Sequence, residues 1–195
     1  MEIREIYKGC LYSIKFDETD ADEYSRVIAL WKDLDYLVNF FKENAREVDQ
    51  PFWREAGLNP DTPIASAERV ASEAIVLASH IRDLAQNAKD GELPDFENFF
   101  QPLGGKYSYV RELEPHKSYG TFRPSLLRLY AIKLGRNVYL IVFGGIKLGS
   151  TIQNSPGLKE QVFRRIDNVM TFLKANGIFE EDDICLLYTS PSPRD

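Results

Sequence analysis

An α+β fold, with helices packed on one face of a sheet, is predicted by three observations. Short runs rich in Tyr, Val, Ile and Leu, suited to strands, occur at residues 3–16 and again after residue 105. Between these runs, and again near residue 160, apolar residues recur every three or four positions, as in helices that bury one face. The order of strands, two helices, three strands and one helix favours one sheet with helices packed on one face.

The first element, residues 3–16, is predicted to form one or two short strands that turn at Lys8 and Gly9. Asp20 and Glu23 have the three-residue spacing of a capping box, so a long helix is expected to begin there. Its apolar stripe consists of Tyr24, Val27, Ile28, Trp31, Leu34, Val38 and Phe41.

A second helix is predicted from Thr62 and Pro63, which suit the cap and the first helical position. Small residues are frequent in its buried stripe, so the two helices can pack closely as an antiparallel hairpin over about residues 20–90. The stripe consists of Val70, Ala74, Leu77, Ala78, Ile81, Leu84, Ala85 and Ala88.

Three strands are predicted at residues 107–113, 126–133 and 137–143. The last two are joined by Leu134-Gly135-Arg136, a hairpin-length connection in which glycine can take a positive φ, so they should be antiparallel neighbours. Residues 114–125 are too many for a tight hairpin and are expected to form an exposed loop over the sheet edge.

A last helix is expected to begin after Ser155 with Pro156 and to end at Asn176 and Gly177. Its apolar stripe consists of Leu158, Val162, Ile166, Val169 and Leu173. We expect a single domain spanning residues 1–178, in which the sheet and this last helix together occupy about residues 98–177.

Residues 179–195 are expected to lie outside that domain. They begin with an acidic segment, and residues 185–195 resemble the translation of a transposase adapter used in sequencing libraries. We therefore expect the natural chain to be truncated near Ile184 and give the tail no role.

The charge is divided unevenly along the chain. Residues 98–178 hold 12 Lys+Arg against 4 Asp+Glu, whereas residues 1–97 hold 11 against 21. A cationic surface of this kind is the electrostatic footprint of a nucleic-acid site. The alternative is a basic sheet face that complements the acidic helical half or an acidic partner.

Several classes of protein are disfavoured by the sequence. No membrane span or leader is recognised, so a cytoplasmic protein is expected. Two cysteines with His80 and His116 do not make a zinc site, and no cofactor or metal is expected. Residues 144–151 have glycines spaced as in a phosphate loop, but Ser150 stands where the lysine must be.

The candidate interface is a set of basic and aromatic residues on and beside the strands. Lys and Arg neutralise phosphates, and Tyr rings stack on unpaired bases. The period of two along residues 126–133 puts Arg128 and Tyr130 on one face, which is expected to look outward. The set consists of Lys106, Tyr107, Tyr109, Arg111, Glu112, Lys117, Tyr119, Arg123, Arg128, Tyr130 and Lys147.

Residues 127–132, the short turn and the apolar run 138–147 resemble the RelE/HigB toxin superfamily, closest to its phage-derived HigB-like branch. The shared pattern is a strand with Arg and Tyr, an apolar strand ending in glycine and lysine, and a helix after a proline. The resemblance covers about residues 98–176 and, before that, only the order of elements. It implies a RelE-like antiparallel sheet packed against an N-terminal helical hairpin and a C-terminal helix.

Members of this superfamily are mostly ribosome-dependent endoribonucleases that cleave mRNA without a metal and are inhibited by a cognate antitoxin. The resemblance implies that mRNA and a helix-turn-helix antitoxin are the partners here. Arg128 and Lys147 would stabilise the phosphate and the transition state, with Arg123 as a further candidate. Glu112 would accept a proton, or alternatively form a salt bridge with Arg128.

Four residues are assigned to RNA binding: Lys106, Arg111, Lys117 and Tyr130. Two other interpretations remain open at this point. One is a non-catalytic module of the same fold that holds RNA or an acidic partner protein. The other is a structural component of a phage or mobile element.

Overall fold

The computed structural model describes residues 1–49, 51–55, 58, 61–89, 95–103, 113–122, 124–149, 155 and 158–184, with 88 and 89 described by their backbone alone. These residues form an α+β fold, which confirms the predicted class. The strands are β1 (Glu2–Tyr7), β2 (Leu11–Lys15), β3 (Phe100–Pro102), β4 (Glu114–Ser118), β5 (Leu127–Gly135) and β6 (Val138–Ile146). The helices are α1 (Glu23–Leu30), α2 (Leu34–Glu43), α3 (Ala45–Val48), α4 (Pro51–Glu55), α5 (Pro63–Lys89), α6 (Phe96–Phe99) and α7 (Leu158–Ala175).

One sheet contains all the described strands, in the order β1-β2-β6-β5-β4-β3. Strands β2 and β6 are parallel, with Leu11 paired to Tyr139 and Ser13 to Ile141. The other neighbouring strands are antiparallel. The predicted turn at Gly9 has a φ of 70° and connects β1 to β2. The N-terminal hairpin therefore extends the C-terminal hairpin into one sheet.

Helices cover both faces of this sheet, so the prediction of cover on one face was wrong. On β5, Leu129 and Ala131 belong to the core formed with α1, α2 and α5, whereas Tyr130 and Ile132 belong to the core formed with α7. Both sets of alternating side chains are largely apolar in β5 and β6, and a strand of that kind must be covered on both sides.

The predicted first helix is two helices separated by a short break. The Asp33 carboxylate accepts from the Tyr36 N–H at 3.0 Å, which begins α2. The cap of α1 is Asp22, which accepts from the Ser25 N–H at 3.0 Å, rather than the predicted Asp20. The helix is therefore interrupted at a side-chain cap, although the apolar stripe continues across the break.

The other two predicted helices are confirmed. Helix α5 begins at Pro63 and packs against α2, and the residues of its predicted stripe from Val70 to Ala85 lie in or against the same core. The side chain of Ala88 lies outside the described residues. Helix α7 buries Leu158 to Leu173 on one side and is followed by Gly177 with a φ of 69°. None of the helices in the described part of the chain combines the length and apolar character needed to cross a membrane.

The region around β4 differs from the prediction. Residues 114–118 are not loop but an internal strand, hydrogen-bonded to both β3 and β5. Apart from Leu113, the strand predicted at 107–113 lies outside the described residues. In the β5–β6 turn, Asn137 takes a φ of 59° instead of Gly135, and its side chain accepts from the Glu97 N–H at 3.1 Å.

Candidate nucleic-acid interface

Three basic residues lie near one another at one end of the sheet: Lys117 near the end of β4, Arg128 near the start of β5 and Lys147 just after β6. We call them the cationic cluster. Arg128 is opposite Gly145 in the β5–β6 register, and the Lys147 N–H donates to the Leu126 carbonyl at 2.7 Å. Burial lowers the pKa of Lys147, and the nearby charges of Arg128 and Lys117 lower it further. The structure thus groups two predicted catalytic residues with one predicted RNA-binding residue.

Arg128 is held by backbone carbonyls at the start of β5. The residue is 7% exposed, and its Nη1 donates to the carbonyls of Ser125 at 3.1 Å and Leu127 at 2.6 Å. Its Cζ also lies 5.1 Å from the centre of the Tyr119 ring. These contacts fix the plane of the guanidinium, so its direction depends on the backbone around Ser125.

Tyr119 is the exposed ring of this region. It is 42% exposed, and the Lys117 Nζ lies 5.3 Å from its ring centre. A cavity of about 580 Å³ also borders Tyr119, with His80, Phe99 and Gln101 among its lining residues. The ring therefore adjoins both the cationic cluster and an open cavity, a position suited to stacking on an unpaired base.

The assignment of Tyr130 to RNA binding is wrong. Tyr130 is 1% exposed and packs in the α7 core, with its ring centre 6.2 Å from that of Phe143. Burial also raises the pKa of its hydroxyl. The expected outward-looking face of β5 is covered at this position by α7, so the ring presents no surface to a base.

Glu73 on α5 is a buried carboxylate that sequence analysis did not single out. It is 0% exposed; one carboxylate oxygen accepts from the Ser125 hydroxyl, and the other accepts from the Leu126 N–H at 3.2 Å. Burial raises the pKa of Glu73, and these hydrogen bonds and the Arg128 charge oppose that rise. Its position three residues after Val70 and four before Leu77, on the apolar stripe, was the available signal.

Six residues of the predicted set lie outside the described residues: Lys106, Tyr107, Tyr109, Arg111, Glu112 and Arg123. The two proposed roles of Glu112, proton acceptor and salt-bridge partner of Arg128, therefore stay predictions. The same holds for the loop role given to Arg123.

The histidines have packing roles. His116 is 3% exposed, its Nδ1 lies 3.0 Å from the Glu114 carbonyl oxygen, and its ring packs against Tyr139. Burial lowers the pKa of His116. His80 packs against Phe99. Over the described ranges, no group of three or more His, Cys, Asp or Glu side chains is arranged to hold a metal ion.

Comparison with known proteins adds no family to this description. Neither protein-family models, nor curated proteins, nor solved structures gave a match to this chain.

Proposed function

We propose that this protein is the toxin-like component of a type II toxin–antitoxin system and acts on mRNA as a metal-independent endoribonuclease. The proposal includes a RelE-like arrangement of the sheet and a cytoplasmic location. The observation that carries it is the cationic cluster beside the exposed ring of Tyr119. Together they offer one site for a phosphodiester and one for a neighbouring base.

The grouping of positive charges supports a phosphate ligand. Burial lowers the pKa of Lys147, and the charges of Arg128 and Lys117 lower it further because like charges held close together raise one another's electrostatic energy. A bound phosphate would relieve this repulsion by placing negative charge among the three groups. The cluster is therefore suited to bind an anion.

The same groups suit cleavage of RNA by its own 2′-hydroxyl. In this reaction the 2′-hydroxyl gives its proton to a base, for which Glu112 stays the predicted candidate, and the 2′-oxygen bonds to the adjacent phosphorus. The bond from phosphorus to the 5′-oxygen breaks, leaving a 2′,3′-cyclic phosphate and, after protonation, a 5′-hydroxyl. Arg128 and Lys147 would stabilise the charge that grows on the phosphoryl oxygens. Because its pKa is lowered, the Lys147 ammonium is also the better suited of the two to donate a proton to the leaving 5′-oxygen.

The proposed partners are those that the resemblance to RelE/HigB toxins implies, and the charge of the cluster suits both of them. An mRNA strand, on the ribosome or free, would bind through its phosphates, with a strong dependence on salt. A cognate helix-turn-helix antitoxin would inhibit by covering the cluster with acidic side chains.

A second candidate is a non-catalytic module of the same kind that binds RNA or an acidic protein. The observation that favours it is the engagement of Arg128 with two backbone carbonyls at 7% exposure. Guanidinium donors already used by the backbone are not available to a phosphoryl oxygen during cleavage, so an arginine held in this way suits a fixed docking contact.

The test is cleavage of a labelled oligoribonucleotide, with and without translating ribosomes and in the presence of EDTA. We expect a 2′,3′-cyclic phosphate product from the wild type and none from Arg128→Ala/Lys147→Ala. The matched control is Arg164→Ala/Lys174→Ala, which removes two exposed α7 cations and the same total charge. This control should cleave normally.

Growth after expression gives a second measurement. Growth arrest by the wild type that is lost in the Arg128→Ala/Lys147→Ala variant is expected. Equal growth arrest by both chains would contradict these sites. Salt-dependent RNA binding without cleavage, even on ribosomes, would favour the non-catalytic module.

A further inference from the structure

We propose that Glu73 is a positioning residue for Arg128. It would hold the start of β5 in the arrangement in which the Ser125 carbonyl accepts from the guanidinium. This inference rests on the proposed function, which assigns Arg128 to phosphate binding.

A continuous chain of contacts joins the two side chains. The Glu73 carboxylate accepts from the Ser125 hydroxyl and from the Leu126 N–H, the latter at 3.2 Å. The carbonyl of the same Ser125 then accepts from the Arg128 Nη1 at 3.1 Å. All of these residues are buried, so solvent does not readily replace a lost partner.

Glu73 also adjoins the segment that carries Tyr119. Gly120 follows that ring with a φ of 60°, and a Cβ at this position would lie 2.8 Å from a Glu73 carboxylate oxygen and would also collide with the Ser125 hydroxyl. Glycine thus permits a close approach that a larger residue would prevent. The carboxylate that holds the start of β5 beside Arg128 therefore also lies next to the backbone that follows Tyr119.

Removal of the Glu73 carboxylate has opposite expected effects on phosphate binding, depending on whether Glu73 acts through its charge or by positioning Arg128. Loss of a negative charge near the cationic cluster would, through Coulomb's law alone, strengthen phosphate binding. Loss of the contacts that orient Arg128 would instead weaken it, because the Leu126 N–H would be left unsatisfied and the Ser125 carbonyl could shift. The sign of the change in RNA affinity therefore distinguishes an electrostatic effect of Glu73 from a positioning role.

The experiment measures the binding of a fluorescein-labelled single-stranded oligoribonucleotide across a range of salt concentrations. The slope of log K against log salt is negative, and each lost phosphate contact makes it less negative by about 0.7 for a single strand. We expect Arg128→Ala and Glu73→Ala each to make the slope less negative by about this amount. The double variant should lose no more than either single variant, because both act through one contact.

Glu68→Ala is the matched control, since Glu68 is an exposed carboxylate on the same helix. It removes the same charge and should leave the slope unchanged. Glu73→Gln should largely restore binding, because its carbonyl can accept from Leu126 and its amide can donate to the Ser125 hydroxyl. That hydroxyl lies 3.1 Å from the Leu127 carbonyl, to which it can then donate.

Ser125→Ala keeps the inference testable if Glu73→Ala does not fold. It removes the hydroxyl link and should weaken binding in the wild-type background but not in the Arg128→Ala background. Unchanged or tighter binding by the folded Glu73 and Ser125 variants, with Arg128→Ala still weakened, would overturn the inference and leave the proposed function intact. Unchanged binding by Arg128→Ala would instead overturn the proposed function.

Discussion

Arg128 and Tyr130 lie two residues apart on β5 and on the same face of the sheet, yet their surroundings differ. Tyr130 packs with Phe143 in the α7 core, whereas Arg128 contacts backbone carbonyls and the ring of Tyr119. The alternation of side chains is the same at both positions. What differs is the element that covers each one. One face of a strand can therefore be packed core at one position and carry a cationic group of the proposed interface two residues away.

The comparison is tested most strongly by removing the two tyrosine rings in turn. Tyr130→Ala should lower the free energy of unfolding by about 3–5 kcal/mol, as expected for a large aromatic residue lost from a core. Tyr119→Ala should lower it by less than about 1 kcal/mol because the ring is exposed. Urea denaturation measures both. Similar losses for the two variants would show that the division of the sheet face into core and interface is mistaken.

The packing of α1 against the end of β6 gives the next largest effect on stability. A Cβ at Gly144 would lie 2.8 Å from Val27 and 3.1 Å from Trp31, so Gly144→Ala should cost about 1–3 kcal/mol. Gly135→Ala is the control, because its nearest contacts would be ordinary at 3.6 Å. Thermal unfolding should separate the two, and an unaffected Gly144→Ala would contradict this close approach.

For the interface itself, Tyr119→Ala should weaken RNA binding by about 1–3 kcal/mol, the range for one stacked base. Tyr119→Phe should bind nearly as well, since stacking needs the ring and not the hydroxyl. Phe179→Ala removes another exposed aromatic ring, 40% exposed, and should have no effect. Fluorescence titration measures all three. Equal weakening by the Phe179 variant would refute a specific role for Tyr119.

The smallest effect concerns Lys147 and pH. Because the folded pKa of Lys147 is lowered from 10.5, its protonated form destabilises the fold at neutral pH. This cost is relieved as pH rises through the folded pKa towards 10.5. Lys147→Met should therefore raise the free energy of unfolding at pH 7, with a smaller gain at high pH. Lys174→Met, at an exposed α7 position, is the control, and a gain that grows with pH would contradict the direction.

The sequence predicted most of the helices and strands, but it did not predict which helices pack over each face of the sheet. Periodicity predicted α5 and α7 because long one-sided stripes need a helix, and the apolar runs predicted β5 and β6. The break before α2 was missed because Asp33 acts through a local cap that the stripe does not record. Strand β4 was missed because Pro115 and His116 are unusual strand residues, and both are buried by tertiary packing.

The site was predictable in part for a related reason. Arg128 and Lys147 were predicted as site residues from their motif positions, and the register of β5 and β6 brings their backbones close together. Glu73 is far away in the chain, and its contact with Ser125 depends on how α5 packs on the sheet. Tyr130 was misassigned because alternation tells which residues share a face but not which helix lies over that face.

The parallel pairing of β2 with β6 has a consequence for how the chain is made. Leu11 leaves the ribosome many seconds before Tyr139, its partner, at typical synthesis rates of about 5–20 residues per second. A lone two-stranded hairpin is marginally stable. The edge of β2 in the nascent β1–β2 hairpin therefore stays unpaired until β6 has been synthesised. Chaperones that bind unpaired strands would be most needed during this interval.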